Sequence, residues 1–293
     1  GIYIARPTRT SDTTKASHIA FVVRDDTGHS DILVETSDTT WQAYNPYGGY
    51  NLYAGSDGSL DSNAWKVSYN RPFTTRTVDQ GENWLFNAEY PMVSWLERNG
   101  YDVSYATHLD TGLHPERLLD HKVFMSSGHD EYWSQAQRNA VTAARDSGVN
   151  IAFFSGNEMY WRIRYDDAGT PGDQRTMVAY KEGSLAPSPE GEHRRCYLNF
   201  NCDSNSSEWT GLWRESTDAT STQSRPGSPE NALTGQISWR NNTSDITVPS
   251  DYASLRFWRN TSVASLTGTQ TATLTSGSLG YEWSPQYEQY MGS

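Results

Sequence analysis

The sequence predicts an α/β fold in which a mainly parallel sheet is flanked by helices. Two observations lead to this expectation. Short apolar segments rich in β-branched residues alternate with amphipathic segments through the first 183 residues, and each apolar segment is bounded by polar turn residues. Strands that alternate with helices usually pair in parallel, because each helix carries the chain back across one face of the sheet.

Five segments are predicted to be β-strands because each is short, apolar and followed by turn or loop residues. They are residues 18–25, 31–38, 101–110, 121–127 and 149–156. The segment 121–127 leads directly into the polar run GHDEYW. Residues 41–59 are predicted to form a shaped loop, since Gly48 and Gly49 permit positive φ angles. Residues 60–82 are predicted to form an excursion, and an acidic loop is predicted at the end of 101–110.

Two helices are predicted between these strands. In residues 88–100, Met92, Trp95 and Leu96 share one face and Gly100 supplies the stop. Residues 134–148 have an Ala-rich body and end at a glycine, and residues 114–120 are predicted to form a short helical turn.

The composition changes after residue 183, where Ser, Pro, Asn and Thr become dominant. Strand-like pieces persist at 254–260 and 271–277, and no linker or repeat separates them from what precedes. We therefore predict one domain over 1–293, with an α/β core at 1–183 and a β- and loop-rich addition at 184–293 packed on it.

The charge balance argues against two classes of partner. The 293-residue chain carries 23 Lys and Arg against 35 Asp and Glu, a net charge of −12. Nucleic acids and anionic membranes need a basic surface, which this composition does not favour. No apolar run approaches the roughly 18–20 residues that a membrane-spanning helix requires. Oligomerisation is left open.

The two cysteines, Cys196 and Cys202, lie six positions apart in a polar segment. A short-loop disulfide between them would fit an exported protein, and two free thiols are the alternative. We expect the protein to be secreted.

Polar residues follow three of the predicted strands directly. The runs are TTWQAYN (39–45), GHDEYW (128–133) and SGNEMYW (155–161). Ligands bind outside the carboxyl ends of the strands of an open parallel sheet. The sequence therefore predicts that the functional site lies at this edge.

Each run has a functional and a structural interpretation. His129 and Glu131 would project to one side of an extended segment, as a metal ligand and a proton carrier, or His129 and Asp130 cap the next helix. Asn157 stands where a nucleophile elbow would hold Ser or Cys, so it either donates to an oxyanion or forms a turn. The tyrosines of residues 41–59 suit sugar stacking, core packing or phenolate ligation of a metal.

These runs resemble a known family. The blocks TSDTTWQAYNPYGGYNLY, WLERNGYDVSY, SSGHDEYW, FFSGNEMYWRIRY and GSLGYEW are similar to the large (β) subunit of N,N-dimethylformamidase and its relatives in exported proteins. The resemblance implies a glutamine amidotransferase-like fold, with a β-rich addition. It also implies one iron ion, held by two tyrosines and a glutamate, and hydrolysis of a small amide to an acid and an amine. The dimethylformamidase subunit is much longer and pairs with a small subunit.

Site residues follow from this resemblance position by position. The metal ligands would be Tyr44, Tyr53 and Glu131, with iron as mononuclear Fe³⁺. Tyr50, Tyr69 and Tyr90 remain alternatives for the second tyrosine. The catalytic residues would be His129, Asn157, Glu282 as general base and Lys181, although the sequence after Lys181 departs from the family.

The function predicted is therefore metal-dependent hydrolysis of a small-molecule amide. The alternative is an exported carbohydrate- or polymer-binding module without catalysis. A third possibility, an amidotransferase-type enzyme with a cysteine nucleophile, is disfavoured because neither cysteine follows a predicted strand.

Overall fold

The computed structural model describes residues 1–58, 62–74, 84–181, 203–205, 207–214, 227–237, 240–280 and 282–283. The strands in these ranges are β1 Ile2–Ala5, β2 Ile19–Val22, β3 Ile32–Thr36, β4 Lys66–Ser68, β5 Val103–Thr107, β6 Val123–His129, β7 Tyr132–Ser134, β8 Asn150–Gly156, β9 Trp161–Asp166, β10 Thr176–Val178, β11 Gly211–Leu212, β12 Arg240–Asn241, β13 Thr247–Pro249, β14 Thr271–Thr273 and β15 Glu282–Trp283. The α-helices are α1 Asp38–Tyr44, α2 Leu85–Ala88, α3 Tyr90–Arg98, α4 His108–Leu113, α5 Gln135–Asp146 and α6 Asn231–Thr234. The 3₁₀ helices are Pro115–Asp120, Ser250–Tyr252, Arg256–Trp258 and Ser262–Ser265.

A four-stranded parallel sheet forms the centre of the α/β part, in the order β5-β3-β6-β8. This confirms the parallel sheet and four of the predicted strands. The remaining predicted strand, at 18–25, contains β2. This strand pairs antiparallel with β1 in a separate hairpin. A second sheet of antiparallel strands runs in the order β11-β9-β10-β4, and β7 joins it by pairing with β9 in parallel.

Helices cover both faces of the parallel sheet, because alternate side chains of each strand point to opposite faces. Leu33 of β3 packs with Trp133 and with Val141 of α5 in one cluster. Ile32 and Val34 on the other face pack with Leu96 of α3. The strands are therefore apolar on both sides, which is why they read as continuous hydrophobic runs in the sequence.

Three segments differ from the sequence prediction. The predicted loop 41–59 begins inside helix α1, most of which is buried. The predicted acidic loop after β5 is helix α4, which begins at a capping box formed by Thr107 and Asp110. The predicted strand at 254–260 contains the 3₁₀ helix Arg256–Trp258, whose residues are largely exposed. No described helix is long and apolar enough to cross a membrane.

Helix α5 is capped by Ser134, so the interpretation that His129 and Asp130 cap it is wrong. The Ser134 hydroxyl accepts from the backbone N–H of Gln137, whose side chain accepts from the backbone N–H of Ser134. Ser134→Ala removes the side-chain acceptor and is expected to lower the free energy of unfolding by about 1 kcal/mol. Urea denaturation checks this. Ser134→Thr keeps the hydroxyl, and a loss of the same size in that variant would contradict the capping explanation.

Candidate active site

The site lies at the carboxyl end of the parallel sheet, between β3 and β6. The chain leaves β3 for β5 on one side, and then returns past β3 to β6 on the other. Connections that diverge in this way leave a crevice at the strand ends, where ligands bind in open α/β sheets. Helix α1 follows β3 and ends at Tyr44, while β6 ends at His129. The polar residues that follow these two strands therefore lie close together.

A glycine near the end of β6 allows the backbone to pass very close to its neighbours. Gly128 has a φ of 97°, and a Cβ atom placed on it would lie 2.9 Å from the Glu89 side chain and 3.0 Å from the Ala88 carbonyl oxygen. Only glycine adopts this conformation and tolerates this approach without strain. The backbone conformation that leads into His129 therefore requires glycine at position 128.

Glu131 is the centre of the first group of site residues. Its side chain is buried and accepts from the Tyr44 hydroxyl at 3.1 Å and from the Trp161 Nε1–H at 3.0 Å. The Tyr53 hydroxyl lies 2.9 Å from Oε1 and 2.8 Å from Oε2 of Glu131. The Tyr44 and Tyr53 rings stack with centroids 4.2 Å apart. Two phenol oxygens therefore converge on one carboxylate.

A second group lies beside Glu131. His129 Nε2 is 2.7 Å from Glu282 Oε2 and 3.6 Å from Glu131 Oε2. The Asn157 Nδ2–H donates to the same Glu282 oxygen at 3.2 Å. Asn157 has a φ of 51° in the turn after β8, a left-handed conformation that Asn tolerates better than most residues. Two donors on different strand ends thus meet at one anionic oxygen.

Lys181 is buried against the aromatic side of the site. Its Nζ atom lies 3.2 Å from the centre of the Tyr53 ring, 5.3 Å from that of Trp161 and 5.6 Å from that of Tyr132. A cation over these π faces is attracted electrostatically. The same charge opposes the mutual repulsion of the carboxylates, because it acts to lower the pKa of Glu131.

Burial and neighbouring charges shift the pKa values in opposite directions. Burial and the Glu282 charge raise the pKa of Glu131 to about 7, against the lowering effect of His129. Burial is the largest single effect and raises the pKa of Glu282, but the hydrogen bond and the charge of His129 act together with weaker neighbouring effects to lower the pKa overall. Burial acts to lower the pKa of His129, and the hydrogen bond to Glu282 and the Glu131 charge raise it overall. His129 and Glu282 therefore form a charged pair.

The donor set fits a hard metal cation. Ligand atoms of His129, Glu131 and Glu282 all lie within 4.8 Å of one another. Tyr44 and Tyr53 add two phenol oxygens on the same carboxylate. Burial, together with the Glu131 charge, raises the pKa of Tyr44 well above its usual value, so this phenol ionises only beside a strong Lewis acid. Carboxylate and phenolate oxygens are the donors that hard cations prefer.

The structure brings all seven predicted site residues together: Tyr44, Tyr53, His129, Glu131, Asn157, Lys181 and Glu282. The alternative tyrosines lie elsewhere. Tyr50 and Tyr90 are about half exposed, and Tyr69 donates to Asp38 at 2.7 Å. Cys196 and Cys202 lie outside the described residues, so the disulfide stays a prediction.

Two site residues were not predicted from the sequence. Trp161 donates to Glu131, and Tyr132 donates to the Tyr53 hydroxyl. Both lie where β7 pairs with β9, with Tyr132 directly opposite Trp161. A signal was available, since each follows within four residues of a predicted site residue, in HDEYW and in NEMYW.

The chain is similar to one family of known proteins over nearly its whole length. The family model described as N,N-dimethylformamidase beta subunit-like, C-terminal, matches residues 1–290. The N,N-dimethylformamidase beta subunits of Alcaligenes sp and of Paracoccus aminophilus are each 27% identical to the chain over 142 residues. Each of these alignments covers 46% of this chain and 18% of the relative's own length. The similarity thus concerns a minor part of two much longer subunits.

Proposed function

Because the chain belongs to the N,N-dimethylformamidase beta subunit-like, C-terminal family, we propose that it hydrolyses the C–N bond of a small amide at a mononuclear iron centre. The observation that supports this most directly is the convergence of Tyr44 and Tyr53 on the buried Glu131. These three residues would hold the ion as Fe³⁺. When bound, such an ion supplies the Lewis acidity that polarises a carbonyl or lowers the pKa of water.

The second group of residues supplies the proton transfer. Glu282, held ionised by His129, would take a proton from the attacking water as its oxygen bonds to the amide carbon. Protonation removes the charge that engages His129 and Asn157, so both N–H groups can then hydrogen-bond the oxygen of the tetrahedral intermediate. Return of the proton to nitrogen as the C–N bond breaks gives an acid and an amine.

Lys181 would act without touching the reacting atoms. Its charge lies over the face of the Tyr53 ring, and the hydroxyl of that ring bonds Glu131 and accepts from Tyr132. A buried ammonium there favours the phenolate over the phenol electrostatically. We therefore propose that Lys181 favours ligation by Tyr53.

The test is iron content, colour and hydrolysis measured on one preparation. We expect one iron per chain, a visible tyrosinate-to-Fe³⁺ charge-transfer band, and release of an amine from N,N-dimethylformamide or a related small amide. A chain that binds no iron on purification or on reconstitution, or an iron-loaded chain without colour, would contradict the proposed centre.

The tyrosines distinguish the proposed hydrolase from the alternative function, a carbohydrate-binding module. Tyr47 and Tyr50 are about half exposed, whereas Tyr44 and Tyr53 pack on each other beside Glu131. A binding module would use the exposed pair for stacking. Glycan binding that is lost in Tyr47→Ala and Tyr50→Ala, without any amide hydrolysis by the parent chain, would support that function instead.

We further propose that the whole chain forms a single domain with a glutamine amidotransferase-like fold, and that the protein is exported. The parallel sheet with helices on both faces supports the fold. Recovery of the native protein from the culture medium would test export.

A further inference from the structure

A buried cluster of ionisable residues lies directly behind the candidate site. Asp130, between His129 and Glu131 in sequence, is fully buried and meets Glu35 and His108, which are also fully buried. His108 Nε2 lies 2.7 Å from Asp130 Oδ1 and 3.4 Å from Glu35 Oε1. We call Glu35, His108 and Asp130 the buried acid–histidine cluster. It shares one backbone segment with the site but faces away from it.

The hydrogen bonds around Thr39 fix the hydrogens on His108. The Thr39 hydroxyl donates to the Tyr132 carbonyl oxygen at 2.8 Å, so its oxygen accepts the Nδ1–H of His108. The other ring nitrogen lies 2.7 Å from Asp130 Oδ1, where a bare lone pair would be repelled. His108 therefore carries a hydrogen on both nitrogens and links Thr39 of α1 to Asp130.

Helix α1 is fastened to the Glu131 segment by two adjacent threonines. Thr39 bonds Tyr132, and Thr40 Oγ1 accepts from the backbone N–H of Glu131 at 3.1 Å. The same helix ends at Tyr44, whose hydroxyl meets Glu131. The bonds at the beginning of α1 therefore help to set the separation of Tyr44 and Glu131.

The beginning of α1 is also joined to α4. Asp38 Oδ1 accepts from the backbone N–H of His108 at 2.9 Å and from the Thr36 hydroxyl at 3.0 Å. The imidazole of His108 and its own backbone therefore both contact α1, at Thr39 and at Asp38. Since all these groups are buried, water cannot replace a bond that is lost.

We propose that His108 and Thr39 are positioning residues, which hold the helix that bears Tyr44 against the segment that bears Glu131 so that both oxygens reach one cation. The proposal rests on the proposed function for its cation, but the geometry that it explains is a property of the chain alone. Outer hydrogen bonds of this kind orient metal ligands, and their loss lowers metal affinity.

Thr39→Val tests this by removing the hydroxyl at nearly constant side-chain shape. We expect the Kd for iron, measured by competition with a chelator, to rise about 10- to 100-fold. The visible charge-transfer band is expected to weaken because Tyr44 no longer reaches the ion. Thr39→Ser keeps the hydroxyl and should restore both values.

Ser30→Ala is the matched control. Ser30 is a buried hydroxyl near the amino end of β3, which bonds Ser104 and His121 away from the site. Its loss should lower stability without changing iron affinity. If Ser30→Ala weakened iron binding as much as Thr39→Val, general destabilisation would explain the effect and positioning would be wrong.

Crystal structures of the iron-free wild type and Thr39→Val give a readout independent of iron. The distance from Tyr44 Oη to Glu131 Oε2, 3.1 Å here, should exceed hydrogen-bonding range in the variant. An unchanged distance overturns the positioning proposal even if the proposed function holds. A wild type without iron overturns the proposed function while this distance still tests positioning. Two metal ions per chain, with one in the buried acid–histidine cluster, would also overturn it.

Discussion

Glu131→Gln is expected to lower iron affinity by more than about 100-fold, beyond the range found for loss of an outer hydrogen-bond partner. The substitution removes the negative charge and one of the two oxygens at the point where Tyr44 and Tyr53 converge. Without that charge the three oxygens no longer neutralise Fe³⁺. The visible band and amide hydrolysis should be lost together with the metal.

The variant should still fold, because the glutamine amide fits the hydrogen bonds of Glu131. The amide oxygen can accept from Trp161 Nε1 in place of Oε1. The amide nitrogen then takes the place of Oε2, where the Tyr44 and Tyr53 hydroxyls can rotate to accept from it. Each polar group that contacts Glu131 thus keeps one hydrogen-bond partner, so the loss of iron reports on charge and ligation.

Iron content, the visible spectrum and kcat/KM should be measured with Glu158→Gln as the control. Glu158 is another buried glutamate, and burial, with the Asp130 charge, raises its pKa well above the usual value. Burial thus favours its uncharged form, which glutamine resembles. Full iron loading in Glu131→Gln would exclude Glu131 as a ligand, and loss of iron in both variants would point to a general effect of buried substitutions.

The parallel sheet was predictable because its strands are buried on both faces. Ile32, Leu33 and Val34 all lie in apolar clusters, so the segment reads as a continuous β-branched and aliphatic run. The location of the site followed from the same reasoning, since His129 comes at the end of such a strand. Periodicity and strand-end position carry this information locally.

Helix α1 could not be predicted, since its stability comes from tertiary contacts. Its sequence DTTWQAY has two β-branched threonines and no helical apolar stripe. Instead, Thr39 and Thr40 are buried, and their side chains form hydrogen bonds with the backbone around Glu131. Buried polar residues that bond across the chain leave no periodic pattern in the sequence.

The site residues that lie far away along the chain could not be predicted from local sequence patterns. Glu282 reaches His129 and Asn157 from β15, more than 120 positions away along the chain. Lys181 reaches the Tyr53 ring just after β10, in the antiparallel sheet. Only the family resemblance pointed to these two residues, because neither follows a strand of the parallel sheet.

Glu282→Gln is expected to lower kcat by about 100- to 10,000-fold, the range for loss of a general acid–base group. Glutamine keeps the shape and one oxygen, which can still accept from His129 or Asn157. It has no basic oxygen to take a proton from water. The fold and iron site should persist, since Glu282 contacts neither of the two tyrosines through a described hydrogen bond.

The measurement that decides the role of Glu282 is iron affinity beside kcat. Ligand atoms of Glu282, His129 and Glu131 are close enough to hold one cation, so Glu282 could instead be a ligand. A general base predicts a loss of kcat at wild-type iron affinity, whereas a ligand predicts loss of both, as in Glu131→Gln. Glu208→Gln, the same change at an exposed glutamate that bonds Asn205, is the control. Wild-type kcat in Glu282→Gln would exclude the base role, and the proton would then have to be taken by His129.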